Sequence, residues 1–373
     1  MRKKRILFVQ PPYIAGAMIS LKEQIVQFKV KGYAIDLIIS GKYDEKIEKM
    51  FQDIGVIPKF IKIYPWTIKC TKNNFLRKCK FIVKHFYNMT FAGNKIKNIV
   101  KTFAPDYIYC NSYDNYLPIV VAKEMKIPSI MHFREYGILD HASWYYFPSY
   151  ARKILQNISL RICISKSVKE FYESKFPGLS FELVYNGISN KLVDTQASAP
   201  AYIRDVGIIG RICEGKGQLF VVENAECFPD IRFHLWGSGS GEYLELIEET
   251  IKEKKLKNVI IEGYTSDIGS IYKTLDMIIA PSKCEAFGRI IIEAMFNKKL
   301  VMASSTGSFP ELVKDGETGF IFDLNNDSFY KVMNRALVSD IPYIVDKAYK
   351  MASGYFTSKR ANDQIVDLIN QLG

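Results

Sequence analysis

Cysteine is scarce in this sequence of 373 residues, and none of its seven cysteines forms a Cys-x-x-Cys motif. The cysteines stand singly along the chain. We therefore expect neither a disulfide framework nor a cysteine zinc site. Isolated cysteines of this kind are typical of proteins in a reducing cytoplasm.

Long apolar runs are also lacking. The sequence begins with basic residues, but the apolar stretch that follows covers only residues 6–9 before Gln10. A signal peptide needs a longer apolar segment, and a helix that crosses a bilayer needs about 20 apolar residues. We expect neither of them, and we interpret residues 6–10 as a first buried strand.

Acidic residues are missing from one long window. Between Ile54 and Pro105 the sequence has no Asp or Glu but eleven basic residues, which account for nearly all of the formal net charge of +12. The basic character is thus a local patch, and a local patch indicates a local anionic partner. The eleven residues are Lys59, Lys62, Lys69, Lys72, Arg77, Lys78, Lys80, Lys84, Lys95, Lys97 and Lys101.

Short apolar, β-branched runs are what the sequence has in quantity, and helical patterns separate them. Continuous apolar runs of this length are typical of strands buried on both faces, and their alternation with helices predicts parallel βαβ units. The predicted strands are 6–10, 35–40, 107–110, 129–133, 161–165, 206–210, 232–237, 259–263, 276–280, 300–304 and 319–322.

The predicted strands fall into two series, separated by a polar segment at 189–205. A chain of this length suits two domains. We predict two doubly wound, Rossmann-like α/β domains, residues 1–190 and 206–355, joined by a linker at 191–205. They would face a central cleft in which ligand binds beyond the carboxyl ends of the strands. The last helix, residues 356–373, is expected to pack back on the first domain.

Two cations follow the first strand of the second series. Arg211 and Lys216 stand five residues apart, with Gly215 between them, after a strand that ends in Gly210. Flexible glycine between them would let both side chains reach one anion. Both suit a phosphate, because Arg can form two hydrogen bonds to it and Lys supplies a point charge. The alternative is a solvated basic turn. A glycine-rich turn at 237–241 favours ligand approach by backbone amides, or packing alone.

Two glutamates flank a turn that follows the strand at 276–280. Gly288 permits an unusual turn after Glu285, and a helix continues through Glu293. The amides of Phe287 and Gly288 would lie at the positive N-terminal end of this helix. The two carboxylates would then grip hydroxyl groups on two parts of an extended ligand. The alternatives are a capping role for Glu285 and a solvated helix position for Glu293, whose apolar neighbours disfavour the latter.

Taken together, these elements resemble the C-terminal domain of the retaining glycosyltransferases of family 4, the glycosyl transferases group 1. That family has the two-Rossmann architecture called GT-B. The resemblance runs from about Val206 to Phe322 and rests on motifs in a fixed order. Ser308 departs from the pattern, because the family commonly has a second glycine there. The motifs are Gly-Arg-x4-Lys-Gly (210–217), Pro-Ser (281–282), Glu-x7-Glu enclosing Phe-Gly (285–293) and Pro-Glu-Leu-x3-Gly-x2-Gly (310–319).

The resemblance implies roles for individual residues. Arg211 and Lys216 would hold the diphosphate of a nucleotide-sugar donor and stabilise its charge as it leaves. Glu293 would bind the nucleotide ribose, and Glu285 would contact the transferred sugar. The other donor-binding positions are Tyr264 at the nucleobase and the backbone of Ala286, Phe287 and Gly288 at the sugar.

The first half of the chain also resembles the family in parts. Gly16 begins a helical pattern after the first strand, and the amides of this loop would face the donor diphosphate. His132 stands at the end of the strand at 129–133. A lone histidine is more often structural than catalytic, but the resemblance to the family's histidine loop makes His132 a candidate for substrate contact. Asn186 and Gly187 would form a turn where the first domain closes.

The implied activity is transfer of a sugar from a nucleotide diphosphate sugar to a saccharide or lipid-linked saccharide, with retention of configuration. A UDP-sugar is favoured on family grounds. No protein nucleophile is required, because the departing phosphate takes the acceptor proton. The sequence has no Asp-x-Asp pair, so neither a metal nor a cofactor is expected. A nucleotide-sugar epimerase on the same fold and a basic nucleic-acid-binding protein are the alternatives.

The acid-free window contains an amphipathic helical pattern at 73–87. We expect its apolar stripe to pack into the first domain, while its basic residues are either solvated or face anionic lipid. The second reading implies peripheral contact of region 54–105 with the inner face of the cell membrane, and a polyprenyl-linked acceptor of capsule or cell-wall assembly. The stripe is Phe75, Leu76, Cys79, Ile82, Val83 and Phe86; the basic residues are Arg77, Lys78, Lys80 and Lys84; and Phe60, Tyr64 and Trp66 would suit a headgroup zone.

Overall fold

The computed structural model describes residues 2–14, 16–69, 75–189 and 197–372, except for the side chains of residues 75–79. The chain divides into two compact units. Unit 1 comprises residues 1–187 and 358–373, and unit 2 comprises residues 188–357. The linker predicted at 191–205 lies partly outside the described residues, and its described part belongs to unit 2. Lys72 and the side chains of Phe75, Leu76, Arg77, Lys78 and Cys79, all named above, also lie outside the described set.

Unit 1 is built on a parallel sheet. Its strands are β1 (Arg5–Gln10), β2 (Ala34–Ile39), β3 (Lys59–Phe60), β4 (Thr67–Lys69), β5 (Tyr107–Cys110), β6 (Ser129–Phe133), β7 (Ser143–Tyr145), β8 (Leu160–Cys163) and β9 (Glu182–Leu183). Seven of them form one sheet in the order β3-β2-β1-β5-β6-β8-β9, in which all neighbours are parallel. β4 and β7 pair separately and antiparallel.

Unit 2 repeats this architecture with six strands. They are β10 (Asp205–Ile209), β11 (Arg232–Trp236), β12 (Val259–Gly263), β13 (Met277–Ala280), β14 (Leu300–Ser304) and β15 (Phe320–Phe322). The order across the sheet is β12-β11-β10-β13-β14-β15, and every neighbouring pair is parallel. The prediction of two doubly wound α/β domains is confirmed.

Helices connect successive strands in both units. They are α1 (Gly16–Val30), α2 (Glu45–Gln52), α3 (Phe75–Tyr87), α4 (Gly93–Phe103), α5 (Leu117–Glu124), α6 (Ile138–His141), α7 (Pro148–Gln156), α8 (Lys166–Lys175), α9 (Gln218–Asn224), α10 (Glu242–Glu253), α11 (Ile268–Thr274), α12 (Arg289–Phe296), α13 (Phe309–Leu312), α14 (Asn326–Leu337), α15 (Ile341–Tyr355) and α16 (Ser358–Asn370). Across the described part of the chain, no helix combines the length and apolarity that crossing a membrane requires.

The strands predicted from continuous apolar runs match those observed within one or two residues. β1, β5 and β6 are buried along nearly their whole length, as strands covered by helices on both faces must be. The prediction missed β3, β4, β7 and β9. Each of these has only two or three residues, which is too short for a periodic pattern to be visible.

The final helix α16 belongs to unit 1 although it follows unit 2 in sequence. Ala361, Ile365 and Ile369 are buried in the unit 1 core. These three positions recur at intervals of four residues, so they form one apolar stripe along the helix. α16 lies against α1, whose Leu21 is buried in the same core.

In each unit the order of the strands reverses at one point. In unit 1 the reversal lies between β1 and β5, and in unit 2 it lies between β10 and β13. The loops that leave the carboxyl ends of two such strands diverge to opposite faces of the sheet and leave a crevice. Residues directly after β1, β5, β10 and β13 are therefore the first candidates for ligand binding.

The described residues of the apolar stripe of α3 do not pack into unit 1 as the sequence predicts. Ile82, Val83 and Phe86 are all more than 60% exposed, and Phe81 is the residue that packs inward. Trp66, predicted for a headgroup zone, is only 2% exposed, and its indole N–H donates to the carbonyl of Tyr113. The residue of α3 that packs inward lies outside the predicted stripe, and the three stripe residues whose side chains are described face outwards.

Candidate functional site

Lys216 and Glu285 meet at the crevice of unit 2. Lys216 ends a short 3₁₀ turn after β10, and Glu285 lies in the loop after β13. Lys216 Nζ donates to Glu285 Oε2 over 2.5 Å. The two side chains are 32% and 17% exposed, so solvent screens the ion pair in part and its role is more positional than stabilising. The fold thus brings two of the predicted site residues into direct contact.

The two loops that carry this ion pair also bind each other through their backbones. The N–H of Lys283 donates to the carbonyl of Gly215 over 2.9 Å. Gly217 has a φ of +72°, and a Cβ at this position would lie 2.1 Å from the carbonyl oxygen of Pro281. Glycine is required there because the loop after β10 packs directly on the backbone after β13.

The glycine-rich turn at 237–241 supports the same loop. A Cβ on Gly237 would lie 1.9 Å from the carbonyl oxygen of Gly210. The N–H of Ile212 donates to the carbonyl of Ser238 over 2.8 Å. Of the two readings of this turn, the contacts favour close packing on the cation loop.

A second loop holds the turn at Glu285 from the other side. The carbonyl of Glu285 accepts hydrogen bonds from the N–H and the hydroxyl of Ser308, over 2.9 Å and 3.2 Å. Gly307 has a φ of +57°, and a Cβ there would lie 2.2 Å from the same carbonyl oxygen. Ser308 has an ordinary φ of −84° and tolerates its side chain. The departure from the family pattern therefore adds a hydrogen bond to the turn that positions Glu285.

Glu293 lies in the second turn of α12 and is 4% exposed. Its Oε1 is 3.2 Å from Arg289 Nη2, and its Oε2 accepts a hydrogen bond of 3.1 Å from the hydroxyl of Tyr272. Burial raises the pKa of Glu293, while Arg289 and the Tyr272 hydroxyl oppose the shift. A solvated helix position is excluded. Gly288 caps this helix with a φ of +81°.

The other predicted donor-site residues lie around this turn or at the edge of the sheet. Arg211 is exposed directly after Gly210. Ala286 and Phe287 are buried beside Glu285. Tyr264 follows the edge strand β12, two strands away from β10, and is 74% exposed. Gly16, the first residue of α1, is exposed and belongs to unit 1.

Arg134 is the centre of a buried polar network in unit 1. It follows β6 and is 6% exposed. Its guanidinium donates to the side-chain oxygens of Asn111 (2.6 Å), Asn186 (2.9 Å) and Gln24 (3.3 Å). These acceptors come from the end of β5, from the segment after β9 and from α1. The predicted turn at Asn186 is thus fixed by a side chain that was not expected to have a role.

His132 is the last but one residue of β6 and is 2% exposed. Its Nδ1 is 2.7 Å from the hydroxyl of Tyr109. Burial and the positive charge of Arg134 hold the pKa of His132 well below its ordinary value. The imidazole is therefore neutral at neutral pH. Together with Arg134, Asn186 and Asn362, it lines a small cavity.

Two acids at the carboxyl edge of the unit 1 sheet were missed from the sequence. Asp114 follows β5, and Glu135 follows β6. Burial raises the pKa of Asp114 to about 6 and that of Glu135 to about 8. Hydrogen bonds from Ser112 oppose both shifts, and the nearby carboxylate of Asp140 adds to that of Glu135. Two carboxyl groups with separated pKa values are typical of sites that handle protons.

Some of the unit 1 residues that the prediction missed could have been found from their positions after apolar strands. Asn111, Asp114 and Glu135 lie one, four and two residues after apolar strands, at the edge where ligands bind in such folds. Gln24 and Tyr109 gave no such signal, because one lies within a helical pattern and the other within an apolar run.

Replacing Gly307 by Ala is expected to destabilise the protein more than replacing Gly316. Both glycines have positive φ, so Ala at either position costs about 1–2 kcal/mol. Only at Gly307 does the new Cβ meet backbone, whereas none of the described atoms lies within 4 Å of a Cβ at Gly316. In urea unfolding, Gly307→Ala should lose more free energy, and hydrogen exchange across 281–288 should accelerate in that variant alone. Equal losses with unchanged exchange would contradict the packing described.

Replacing Glu135 by Gln is expected to flatten the pH dependence of stability. The carboxyl binds its proton more tightly in the folded chain, with a pKa of about 8 against an ordinary 4.5. The stability it contributes is therefore complete below about pH 4.5 and is lost as the pH rises through 8. Glu135→Gln should match the wild type at pH 4.5 and exceed it at pH 9 in urea unfolding. Glu170→Gln, at an exposed position, is the control. If the free energy of unfolding of the wild type rose from pH 5 to pH 8 relative to Glu135→Gln, the raised pKa of Glu135 would be refuted.

Comparisons with known proteins find a family similarity in the second half of the chain. Residues 203–343 match the family model described as glycosyl transferases group 1. A 42.6 kDa protein in the cps region of Klebsiella pneumoniae is 25% identical, over 81% of this chain and 84% of its own length. The lipopolysaccharide core biosynthesis mannosyltransferase LpcC of Rhizobium leguminosarum is 30% identical, over 40% of this chain and 43% of its own.

Solved structures extend the similarity to nearly the whole chain. Anabaena HepE in complex with UDP superimposes with a TM-score of 0.81 at 19% sequence identity, covering 99% of this chain and 100% of that one. At this identity the likeness shows the fold, and it covers both units. The fold is GT-B, as the sequence predicts, and residues 203–343 form a glycosyl transferases group 1 domain.

Proposed function

We propose that this glycosyltransferase moves a sugar from a UDP-sugar to a saccharide or lipid-linked saccharide acceptor, with retention of configuration. The observation that carries the proposal is the contact between Lys216 and Glu285 across the crevice of unit 2, over 2.5 Å. A cation suited to phosphate and a carboxylate suited to sugar hydroxyls lie side by side at the point where ligands bind to doubly wound sheets, and this supports the proposal.

The donor diphosphate would bind at the loop after β10. Arg211 is exposed there and Lys216 is half-buried, so both are within reach of a ligand in the crevice. The loop is held in place by Gly217 on Pro281 and by the turn at 237–241. A loop fixed before ligand arrives loses little conformational entropy on binding, which favours affinity for a charged ligand.

The nucleoside and the sugar would be held by the loop and helix after β13. Glu293 is fixed by Arg289 and Tyr272, and a carboxylate oriented in this way suits two ribose hydroxyls. Glu285 is fixed by Ser308 and Gly307 and would contact the transferred sugar. Tyr264 is exposed after β12 and would stack on the nucleobase.

In the proposed reaction an acceptor hydroxyl attacks the anomeric carbon from the face that the diphosphate leaves. The new glycosidic bond forms while the bond from the anomeric carbon to the phosphate oxygen breaks, and the leaving phosphate takes the acceptor proton. Arg211 and Lys216 would stabilise the charge that develops on the diphosphate. No protein nucleophile is assigned, and neither a metal nor a cofactor is part of the proposal.

The names of similar proteins support the donor and the pathway class. HepE was solved with UDP, LpcC is named a lipopolysaccharide core mannosyltransferase, and the Klebsiella relative lies in a cps region. We infer from these names a UDP-sugar donor and an acceptor in the assembly of a surface polysaccharide, with unit 1 as the acceptor-binding unit.

The surface of α3 supports a peripheral membrane contact on the inner face of the cell membrane. Ile82, Val83 and Phe86 are exposed on a helix that lies in the window without acidic residues. Lys62 and Lys84 lie over the ring of Tyr64 beside it, at 4.9 Å and 5.3 Å. Exposed apolar side chains flanked by lysines are typical of helices that lie in the surface of an anionic bilayer.

Replacing Lys216 by Ala is expected to weaken UDP binding by about 10–100-fold, because a hydrogen bond to a charged group contributes about 1.5–3 kcal/mol. Hydrolysis of the UDP-sugar without acceptor should fall by about 10²–10³, since the leaving charge loses a preorganised contact. Titration calorimetry and UDP release measure the two effects. Lys254→Ala is the matched control, because Lys254 is 34% exposed and pairs with Glu226 over 2.5 Å.

A panel of UDP-, GDP- and dTDP-sugars in a thermal-shift assay tests the donor site as a whole. The wild type should be stabilised by UDP-sugars, and Glu293→Ala should lose that stabilisation. Stabilisation by none of the panel would refute the proposed function. Interconversion of two UDP-sugars in the absence of acceptor would instead favour the epimerase.

Replacing Val83 by Asp is expected to release the protein from anionic vesicles. The change puts a negative charge on the exposed apolar surface of α3, where it is repelled by lipid headgroups and removes apolar area. Co-sedimentation with vesicles of phosphatidylglycerol and phosphatidylcholine should drop for Val83→Asp and stay near wild type for Val30→Asp, an exposed valine on α1. Equal binding of all three proteins, or of none, would refute the membrane contact.

A further inference from the structure

The buried amide of Gln24 has only one possible orientation. Arg134 Nη2 donates to Gln24 Oε1 over 3.3 Å. A guanidinium carries donors and no acceptor, so the atom that faces it must be the amide oxygen. The Nε2 of Gln24 therefore points away from Arg134, towards the hydroxyl of Tyr109 at 3.0 Å.

The direction of the next hydrogen bond follows from the single proton of Tyr109. The hydroxyl accepts from Gln24 Nε2, and its other neighbour is Nδ1 of His132 at 2.7 Å. Burial raises the pKa of Tyr109 to about 12, so the phenol keeps its proton throughout the physiological range. If His132 Nδ1 were protonated, the hydroxyl would face two donors and its own proton would have no acceptor. Tyr109 therefore donates to His132 Nδ1.

The tautomer of His132 is then determined. A neutral imidazole has one N–H and one acceptor nitrogen. Because Nδ1 accepts from Tyr109, the proton is on Nε2. Among the described residues none bonds His132 Nε2, although the ring is 2% exposed. The free N–H belongs to a residue that lines the cavity of unit 1.

A complementary acceptor lines the same cavity. Asn362 of α16 is 4% exposed, and its Nδ2 donates to the backbone carbonyl of Ser358 over 2.7 Å. A carbonyl can only accept, so the orientation of this amide is fixed as well. Its Oδ1 is buried, and the described part of the chain offers it no hydrogen-bond partner. The cavity measures about 20 Å³, enough for one oxygen atom and too small for a sugar ring.

We propose that Arg134, Gln24 and Tyr109 form a relay that holds His132 as a neutral Nε2–H donor, so that His132 binds a substrate oxygen and does not remove a proton. Gln24 and Tyr109 are positioning residues, and Asn362 completes the site for one hydroxyl group, which accepts from His132 and donates to Asn362. The part that concerns substrate rests on the proposed function; the tautomer does not.

The tautomer is measured directly by ¹⁵N NMR of the full chain without substrate. The chain has only four histidines, so the signals of His132 are assigned by their loss in His132→Gln. In the wild type the proton should be on Nε2. Tyr109→Phe removes the donor to Nδ1, and a mixture of tautomers should result. A wild-type ring with its proton on Nδ1 would overturn the relay, whether or not the chain binds a UDP-sugar.

Gln24→Glu is the sharper variant, because it reverses the relay without removing a group. The new carboxylate accepts from Arg134 and also from Tyr109, so the Tyr109 proton turns away from His132. Nδ1 of His132 must then carry a proton and donate to Tyr109. The NMR signals should report this reversal, and a ring that keeps its proton on Nε2 alone would overturn the proposed direction of the bonds.

A second His–Tyr pair supplies the matched control. Tyr116 bonds Nδ1 of His85 at 2.7 Å and accepts from Asn88 Nδ2 at 3.2 Å, the same arrangement at another place in unit 1. Tyr116→Phe should alter the signals of His85 and leave those of His132 and the hydrolysis of UDP-sugar unchanged. A change at His132 in this variant would mean that the effect of Tyr109→Phe is a general loss of packing.

Kinetic measurements test whether the Nε2–H group of His132 binds substrate. Gln24→Glu should lower kcat for UDP-sugar hydrolysis by about 10²–10³, the loss typical of one preorganised donor, with a smaller change in KM. Tyr109→Phe should lose less of its kcat, because a fraction of the molecules keeps His132 in the Nε2–H tautomer. If Gln24→Glu reversed the tautomer of His132 but left kcat and KM unchanged, the proposed contact between His132 and substrate would be overturned. An ordered water would then be the occupant of the cavity. Correct tautomers in a protein that binds no UDP-sugar would refute the proposed function alone.

Discussion

Close backbone packing between the loops after β10, β13 and β14 is the constraint on which the arrangement of the unit 2 site depends. The ion pair between Lys216 and Glu285 spans the crevice where the strand order reverses, and each partner is carried by a loop that the other loops hold in place. Gly217 and Gly307 set these loops so close to the neighbouring backbone that a single methyl group would not fit. The pair therefore gains its geometry from backbone packing. In the proposed reaction, a diphosphate entering the crevice would compete with Glu285 for Lys216, so that donor binding would release Glu285 towards the sugar.

In unit 1 the cation that follows a strand is bonded to neutral amides. Arg134 is buried, and the acceptors of its hydrogen bonds include the amide oxygens of Asn111, Asn186 and Gln24. Neutral amides do not compete with an anionic ligand for the guanidinium. The guanidinium orients the amide of Gln24, and this amide in turn orients the hydroxyl of Tyr109 next to His132. Unit 1 thus uses its buried cation to fix the direction of a chain of hydrogen bonds, whereas we propose that the cation of unit 2 binds substrate.

The sequence predicted the strands, and the strand, turn and helix that carry Glu285 and Glu293, because these features are local in the chain. A buried parallel strand is a continuous apolar run, and Gly288, Glu285 and Glu293 stand within nine residues of each other. The relay in unit 1 was out of reach, since Gln24 and Tyr109 are 85 residues apart and Arg134 lies 110 residues from Gln24. The exposure of Ile82, Val83 and Phe86 on α3 was mispredicted for a related reason. A helical pattern identifies an apolar face, but only tertiary contacts decide whether that face meets a core.

The strand-end groups of unit 1 also bear on where the acceptor proton goes. In the proposed relay His132 has its proton on Nε2, so it is already a hydrogen-bond donor. Glu135, with a pKa of about 8, holds its proton at neutral pH, and Asp114, with a pKa of about 6, is mostly ionised there. Of these three groups only Asp114 has a proton-accepting form in excess, and burial makes that form costly. An acceptor hydroxyl bound near these groups would meet more donors than bases, which agrees with the proposed reaction, in which the leaving phosphate itself receives the proton.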